Sequence, residues 1–286
     1  MKKNLISTLV LASLMTASAA YAATSGNYSG TQTFSGQVTV PTAQNQWEWA
    51  TGPAITLTTA KTSELTANGT VLTQAATANT LLLAGQTKTV SIGSTTVTMR
   101  PKIELQNADN TAVTIDFSGA TANNGKGVLR LKVTDDAGTK NLGEITLNVK
   151  AAGVGFYGET TATNPVVKNY PLLSNTTQTN SILQAALPAS ATAAMTTSAA
   201  ETWLSALGVT QTASKLLGNY NQNLARTAVA TAGAADAQEA DKSDVYYGAT
   251  YGLGVAQGDN YVVTFSNPVT TNTKWKSALK INLTYM

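Results

Sequence analysis

The chain ends Leu279-Lys280-Ile281-Asn282-Leu283-Thr284-Tyr285-Met286, with an apolar or aromatic side chain at every second position up to Tyr285. Successive side chains of a strand point to opposite faces, so this is the pattern of a β-strand with one buried face. Near the other end a second period-two run reads Tyr28, Gly30, Gln32, Phe34, Gly36, Val38 and Val40, glycine-rich and polar between these positions. A loose Ala-Thr-Ser-Gly lead precedes it. Two alternating strands at opposite ends of a β-rich chain suggest a subunit that exchanges a strand with its neighbour, and such a subunit polymerises. Each run also has a plainer reading. The C-terminal one fits an edge strand of a soluble sandwich, and the N-terminal one fits a first strand paired within its own subunit.

The first residues read as a secretory leader. Met1-Lys2-Lys3 is a short positive region, Leu5 to Met15 is apolar, and Ala20-Tyr21-Ala22 is a small-x-small cleavage site, so removal of residues 1–22 is expected. The apolar run is too short to cross a bilayer. Charged residues make up only 12% of the chain, and loss of Lys2 and Lys3 brings the two signs close to balance. Nothing in that balance attracts nucleic acid or an anionic membrane. There is no Cys and no His, which removes disulfides, Cys-based metal sites, thiol nucleophiles and imidazole catalysis together. A secreted chain without disulfides must draw stability from its core or from assembly.

Several segments read as strands: Val90 to Met99 around Gly93, Val113 to Phe117, Tyr261 to Phe265, and the closing run. Leu129 to Val133 and Ile145 to Val149, joined through Asp135-Asp136-Ala137-Gly138, read as a β-hairpin. Short strands at this spacing indicate an all-β-dominated chain, a β-sandwich of immunoglobulin-like kind. The stretch at about 160–242 breaks the pattern. Ser198-Ala-Ala-Glu201 has the form of a capping box. Trp203, Leu204 and Leu207 follow at helical spacing, and Gly208 is a plausible stop. Leu217, Tyr220 and Leu224 suggest a second short helix, and Ala230 to Ala240 a loop. An insertion of this length between strands is too long for a plain connection, and such insertions commonly carry binding.

No catalytic, cofactor or metal site is expected. Asp135-Asp136 reads as a turn pair, because no further carboxylates follow at ligand spacing. Gly252-x-Gly254 lies in a strand-like run without the helix that a phosphate loop needs. No carboxylate pair sits in a context that suggests glycosidase chemistry. Trp47 and Trp49 share a face at i, i+2 and read as core or surface stripe before sugar platform.

Tyr251-Gly-Leu-Gly-Val-Ala-Gln-Gly258, Val262-Val-Thr-Phe265, Val269-Thr-Thr-Asn-Thr-Lys-Trp275 and the closing strand resemble the FaeG-like family of fimbrial major subunits and adhesins, assembled by the chaperone–usher pathway. Trp47-Glu-Trp49, Leu82-Leu83 with Gly85-Gln-Thr-Lys88, Asn124-Gly-Lys-Gly127 and Ala152-Gly-Val154 add to the resemblance, which covers most of the chain after the leader. It implies an incomplete immunoglobulin-like sandwich (41–286, with the insertion at about 160–242) and an N-terminal donor-strand extension (23–40). The donor positions it implies are Tyr28, Gly30, Gln32, Phe34 and Gly36. The edge facing the chaperone would carry Leu279, Ile281, Leu283 and Tyr285. The partners implied are identical subunits in a fibre, a periplasmic chaperone, an outer-membrane usher and host glycoprotein or glycolipid, on a path through the periplasm to a surface fimbrium. Two departures stand out. Gln32 sits where an apolar donor residue is expected, and the insertion matches poorly, so receptor identity does not carry over. For a receptor site the insertion offers Tyr170, Trp203, Asn219 and Tyr220, with Asn169 and Asn221 nearby and the aromatics read as exposed; the plainer reading is that these aromatics only pack the subdomain, Trp203 holding the insertion on the sandwich. The alternative is a minor fimbrial subunit or a monomeric secreted glycan-binding domain.

Overall fold

The computed structural model describes residues 28–32, 47–92, 100–120, 123–159, 167–174, 183–184, 186–211, 229–231 and 245–285. Strands dominate. In chain order they are β1 (Tyr28–Gln32), β2 (Trp47–Ala50), β3 (Ile55–Ala60), β4 (Val71–Ala75), β5 (Thr80–Thr87) and β6 (Ser91–Ile92). Next come β7 (Pro101–Asn107), β8 (Ala112–Val113), β9 (Ile115–Asp116), β10 (Lys126–Asp135), β11 (Asn141–Glu159) and β12 (Val167–Pro171). After helix α1 (Thr197–Ala206) follow β13 (Val229–Thr231), β14 (Val245–Val255), β15 (Asn260–Phe265), β16 (Trp275–Lys276) and β17 (Leu279–Tyr285).

β11 is the spine. Its first half pairs with β10 on one side and with β15 on the other. Its second half pairs with β12 and β14 instead. The β10–β11 connection is the expected hairpin. Gly138 takes φ 78 at its tip, a conformation that favours glycine. The Asp135 carboxylate accepts the Thr139 and Lys140 amides at 2.7 and 3.1 Å. That side chain is therefore spent on the turn.

The large sheet runs β13-β12-β11-β14-β5-β2, with β10, β15 and their partners attached to its side. A second sheet has the order β17-β7-β8, and β1 with β3 forms a two-stranded piece. Among the described residues all strand pairs are antiparallel except β12 with β13. The inner faces enclose one core: Leu129, Leu131, Ile145 and Leu147 from the hairpin, Tyr247, Tyr251 and Leu253 from β14, Ile103 and Leu105 from β7, and Ile281 from β17. This is an all-β-dominated fold consistent with an immunoglobulin-like sandwich, as expected.

α1 lies on the outer face of the large sheet, over β11, β12 and β14. There Trp203, Leu204 and Leu207 form a second apolar cluster with Ala84, Ala152 and Val154. This packing explains the glycines of β14. A Cβ at Gly252 would stand 2.8 Å from Leu204, and one at Gly254 would stand 2.5 Å from the Thr80 carbonyl and 2.8 Å from Leu207. Gly252-x-Gly254 is thus the floor on which the helix rests, and β14 is buried on both faces.

Three local expectations change. The helix is capped by Thr196, whose hydroxyl accepts from the Ala199 amide at 3.3 Å, not by Ser198. Glu201 reaches across to β12, where it accepts from the Asn169 amide nitrogen at 3.2 Å. Ala230, expected in a loop, lies in β13. The second helix expected over Leu217 to Leu224, and most of Val90 to Met99, lie outside the described residues.

Candidate assembly groove and receptor surface

The alternation at the C-terminus becomes a strand with two unlike faces. Leu279, Ile281 and Leu283 are buried, while Lys280, Asn282 and Thr284 are not. One edge of β17 pairs with β7 over its whole length, from Leu279 opposite Asn107 to Tyr285 opposite Pro101. Among the described residues the other edge has no strand beside it. Tyr285 is anchored from the large sheet: the Trp49 indole N–H donates to its hydroxyl at 2.9 Å. Trp49 stacks on buried Trp47 with ring centres 5.0 Å apart and planes 10° apart. The tryptophan pair is therefore core, and it ties the start of the sandwich to its last strand.

β3 sends Ile55, Leu57 and Ala60 into the same core as β17. Its edges are unequal. On one side the Gln74 side chain from β4 donates to the Thr58 carbonyl at 2.8 Å and accepts the Thr58 amide at 2.9 Å. A side chain thus takes the place of a strand there. On the other side β1 pairs antiparallel within the same chain: Tyr28 opposite Ala60, Gly30 opposite Leu57, Thr31 opposite Thr56 and Gln32 opposite Ile55. The register slips between Tyr28 and Gly30. β1 also runs alongside β16, the short strand that leads into β17. Of the N-terminal alternating run, Phe34 and Gly36 lie outside the described residues.

The receptor candidates are arranged otherwise than expected. Tyr170 is only 1% exposed, because β12 extends the sheet and places it opposite Gly155. A Cβ at Gly155 would stand 2.5 Å from the Tyr170 hydroxyl. The ring also packs on Tyr157 with centres 5.8 Å apart. Trp203 is buried beneath the helix, with the Lys150 ammonium 5.5 Å from its ring centre. Asn169 is buried too. Neither aromatic presents an open face. Asn219, Tyr220 and Asn221 lie outside the described residues.

What the structure does open is a cleft of about 560 Å³ where the insertion meets the sandwich. Its floor is apolar, built from Leu105, Val113, Ile115 and Phe117. Gln106, Thr114 and Ser174 stand among its polar residues. β7 is drawn to the insertion here by two backbone bonds, Ile103 N–H to the Gln184 carbonyl at 2.7 Å and Gln184 N–H to the Pro101 carbonyl at 2.9 Å. Sequence periodicity could not show this cleft, since it depends on Gln184 bonding back to β7.

The sequence profile described as "Fimbrial, major and minor subunit" matches residues 1–286. K88 fimbrial protein AC of Escherichia coli is 28% identical over 300 residues, and K88 fimbrial protein AB of the same organism is 26% identical over 302 residues. Each alignment spans 100% of both chains. K88 fimbrial protein AD, also from Escherichia coli, is 27% identical over 303 residues, again across 100% of both chains. Members of the family are structural subunits and not enzymes. With an all-β sandwich, a C-terminal strand open along one edge and a match along the whole chain, this protein belongs to the K88 family of fimbrial major and minor subunits.

Proposed function

We propose that this fimbrial subunit polymerises by donor-strand exchange, with Tyr28, Gly30, Gln32, Phe34 and Gly36 as the donor positions and the groove between β17 and β3 as the acceptor. The observation that supports this most directly is the pair of edges. β17 has a full ladder on one side and none among the described residues on the other, while its apolar face feeds the core. An open strand edge whose apolar face belongs to the core invites a strand from another chain. Before assembly a periplasmic chaperone would cover the same groove through the edge carrying Leu279, Ile281, Leu283 and Tyr285. An outer-membrane usher would then exchange chaperone for neighbour. The test is a pair of variants. Deleting Ala23 to Val38 should leave a subunit that is soluble with its chaperone but forms no fibres. Grafting the same residues through a turn after Met286 should give a monomer of higher thermal midpoint. A graft that leaves the midpoint unchanged would refute the groove assignment. Electron microscopy of surface fibres in a deletion strain separates a major shaft subunit from a minor one.

An adhesive role is a second reading, favoured by the cleft at the insertion. An apolar floor with a half-buried Phe117 and surrounding amides and hydroxyls suits the CH face and hydroxyls of a sugar ring, as in a host glycoprotein or glycolipid. Tyr170 and Trp203 would serve such a site from beneath, by holding the insertion on the sheet. Tyr220 and Asn219 stay candidates for direct contact. Replacing Gln106 and Thr114 by Ala should lower retention on a glycan array at least tenfold while fibres still assemble. Unchanged retention by those fibres would move the site away from the cleft.

A further inference from the structure

β3 has only one edge that can take a strand, because the Gln74 amide occupies Thr58 on the other. In this chain that edge is taken by the chain's own β1. We propose that β3 is a single-occupancy acceptor, filled by Tyr28–Gln32 of the same chain in a free subunit that no chaperone covers, and by the same segment of a neighbour in the fibre. The inference rests on the donor-strand reading above and adds to it a closed, self-paired monomer. Assembly is then the exchange of one partner for an equivalent one, the logic of a domain swap.

Two features suit the internal pairing to be temporary. The register slip between Tyr28 and Gly30 breaks the ladder near the start of a five-residue strand and leaves only three residues in regular register. Residues 33–46 separate β1 from β2, and a chain of that length reaches at most about 50 Å when extended, enough for β1 to leave β3 without disturbing β2. Closing so short a segment on its own body costs little chain entropy, whereas pairing with a neighbour depends on concentration. A dilute subunit therefore holds its own strand, and a crowded or templated one trades it.

The absence of Cys in the chain makes the test clean. Thr31 and Thr56 are opposed in register, and Thr56 is exposed. The double variant T31C/T56C is refolded from denaturant at low concentration without chaperone, oxidised, and run on a non-reducing gel. The expected result is an intramolecular disulfide in the monomer, no incorporation of that oxidised monomer into fibres, and recovery of incorporation on reduction. Fibres assembled reduced and then oxidised should give a ladder of intermolecular links. A monomer with two free thiols and fibres with a ladder would overturn the internal pairing and leave donor-strand exchange standing. Fibres that contain only intramolecular links would overturn both. Hydrogen exchange of the unsubstituted monomer provides a check independent of the variant's folding. Amides of Ile55 to Ala60 should exchange at least tenfold more slowly than in a subunit lacking residues 23–32, and equal rates would count against the proposal.

Discussion

Tyr251 sits at the middle of β14, fully buried, with its hydroxyl donating to the Ala186 carbonyl at 3.3 Å. Burial pushes its phenol well above the ordinary 10.0, and burial moves Tyr261 in the same direction against the opposing Thr80 hydroxyl. A folded-state value raised above the unfolded one gives stability that is complete below about pH 10 and is lost as pH climbs toward the folded value. The thermal midpoint should therefore hold to about pH 9 and fall steeply above pH 10. Tyr251→Phe should flatten that fall while costing about 1 kcal/mol at neutral pH through the lost hydrogen bond; an unchanged alkaline limb would assign it to other groups. On the acid side the Lys140 and Thr139 amides hold the Asp135 carboxyl below its usual 3.8, so its contribution is present above that value and lost as pH falls through the depressed one. Asp135→Asn keeps an oxygen acceptor for the turn and should leave the midpoint at pH 7 nearly unchanged while weakening the acid dependence. Residue chemistry was legible here: Asp135 and Gly138 form the expected turn. Burial was not. Tyr170 and Trp203 could be read either as exposed or as packing the subdomain, and the structure takes the second reading. The signal that would have decided this is the run Gly153-Val154-Gly155, whose missing Cβ atoms make room for Leu172 and the Tyr170 ring.

Among the elements, α1 shows how far local rules carry. Its existence and apolar face follow from the spacing of Trp203, Leu204 and Leu207. Its start does not, because Ser198 and Glu201 satisfy the capping-box pattern while Glu201 is engaged by Asn169 from β12. Thr196→Ala should cost about 1 kcal/mol in chemical denaturation, and Ser198→Ala much less; the reverse order would restore the original cap. The seat of the helix is more demanding. Gly254→Val would drive a side chain into the Thr80 carbonyl and Leu207, and a backbone oxygen cannot rotate away. A loss of about 1–3 kcal/mol is expected, with proteolysis appearing first around α1. If instead the variant unfolds with the wild-type midpoint, the helix does not bear on that floor. Strands were legible wherever one face is polar, as in β10, β15 and β17. β14, covered on both sides, hides its period.

For the whole molecule the informative relation is between β7 and β17. Residues 101–107 pair with Leu279–Tyr285, a contact of high sequence separation of the kind that forms slowly. Which strands are adjacent could not be read from periodicity, since β11 changes neighbours midway from β15 to β14. Tyr285→Ser removes both the partner of the Trp49 N–H and the ring at the end of β17. Subunit levels in the export compartment should fall, with fibres reduced in proportion. Normal accumulation with normal fibres would show that the end of β17 is dispensable.

The stacked Trp47–Trp49 pair, hydrogen-bonded to Tyr285, has an optical meaning. Two nearly parallel indoles with centres 5.0 Å apart couple their transitions and give a circular-dichroism couplet that isolated tryptophans lack. One member reports directly on the terminal strand through its N–H bond. The wild-type protein thus carries a label-free reporter at the end of its terminal strand. The couplet's amplitude should shift when the groove changes occupant, and vanish in Trp47→Phe.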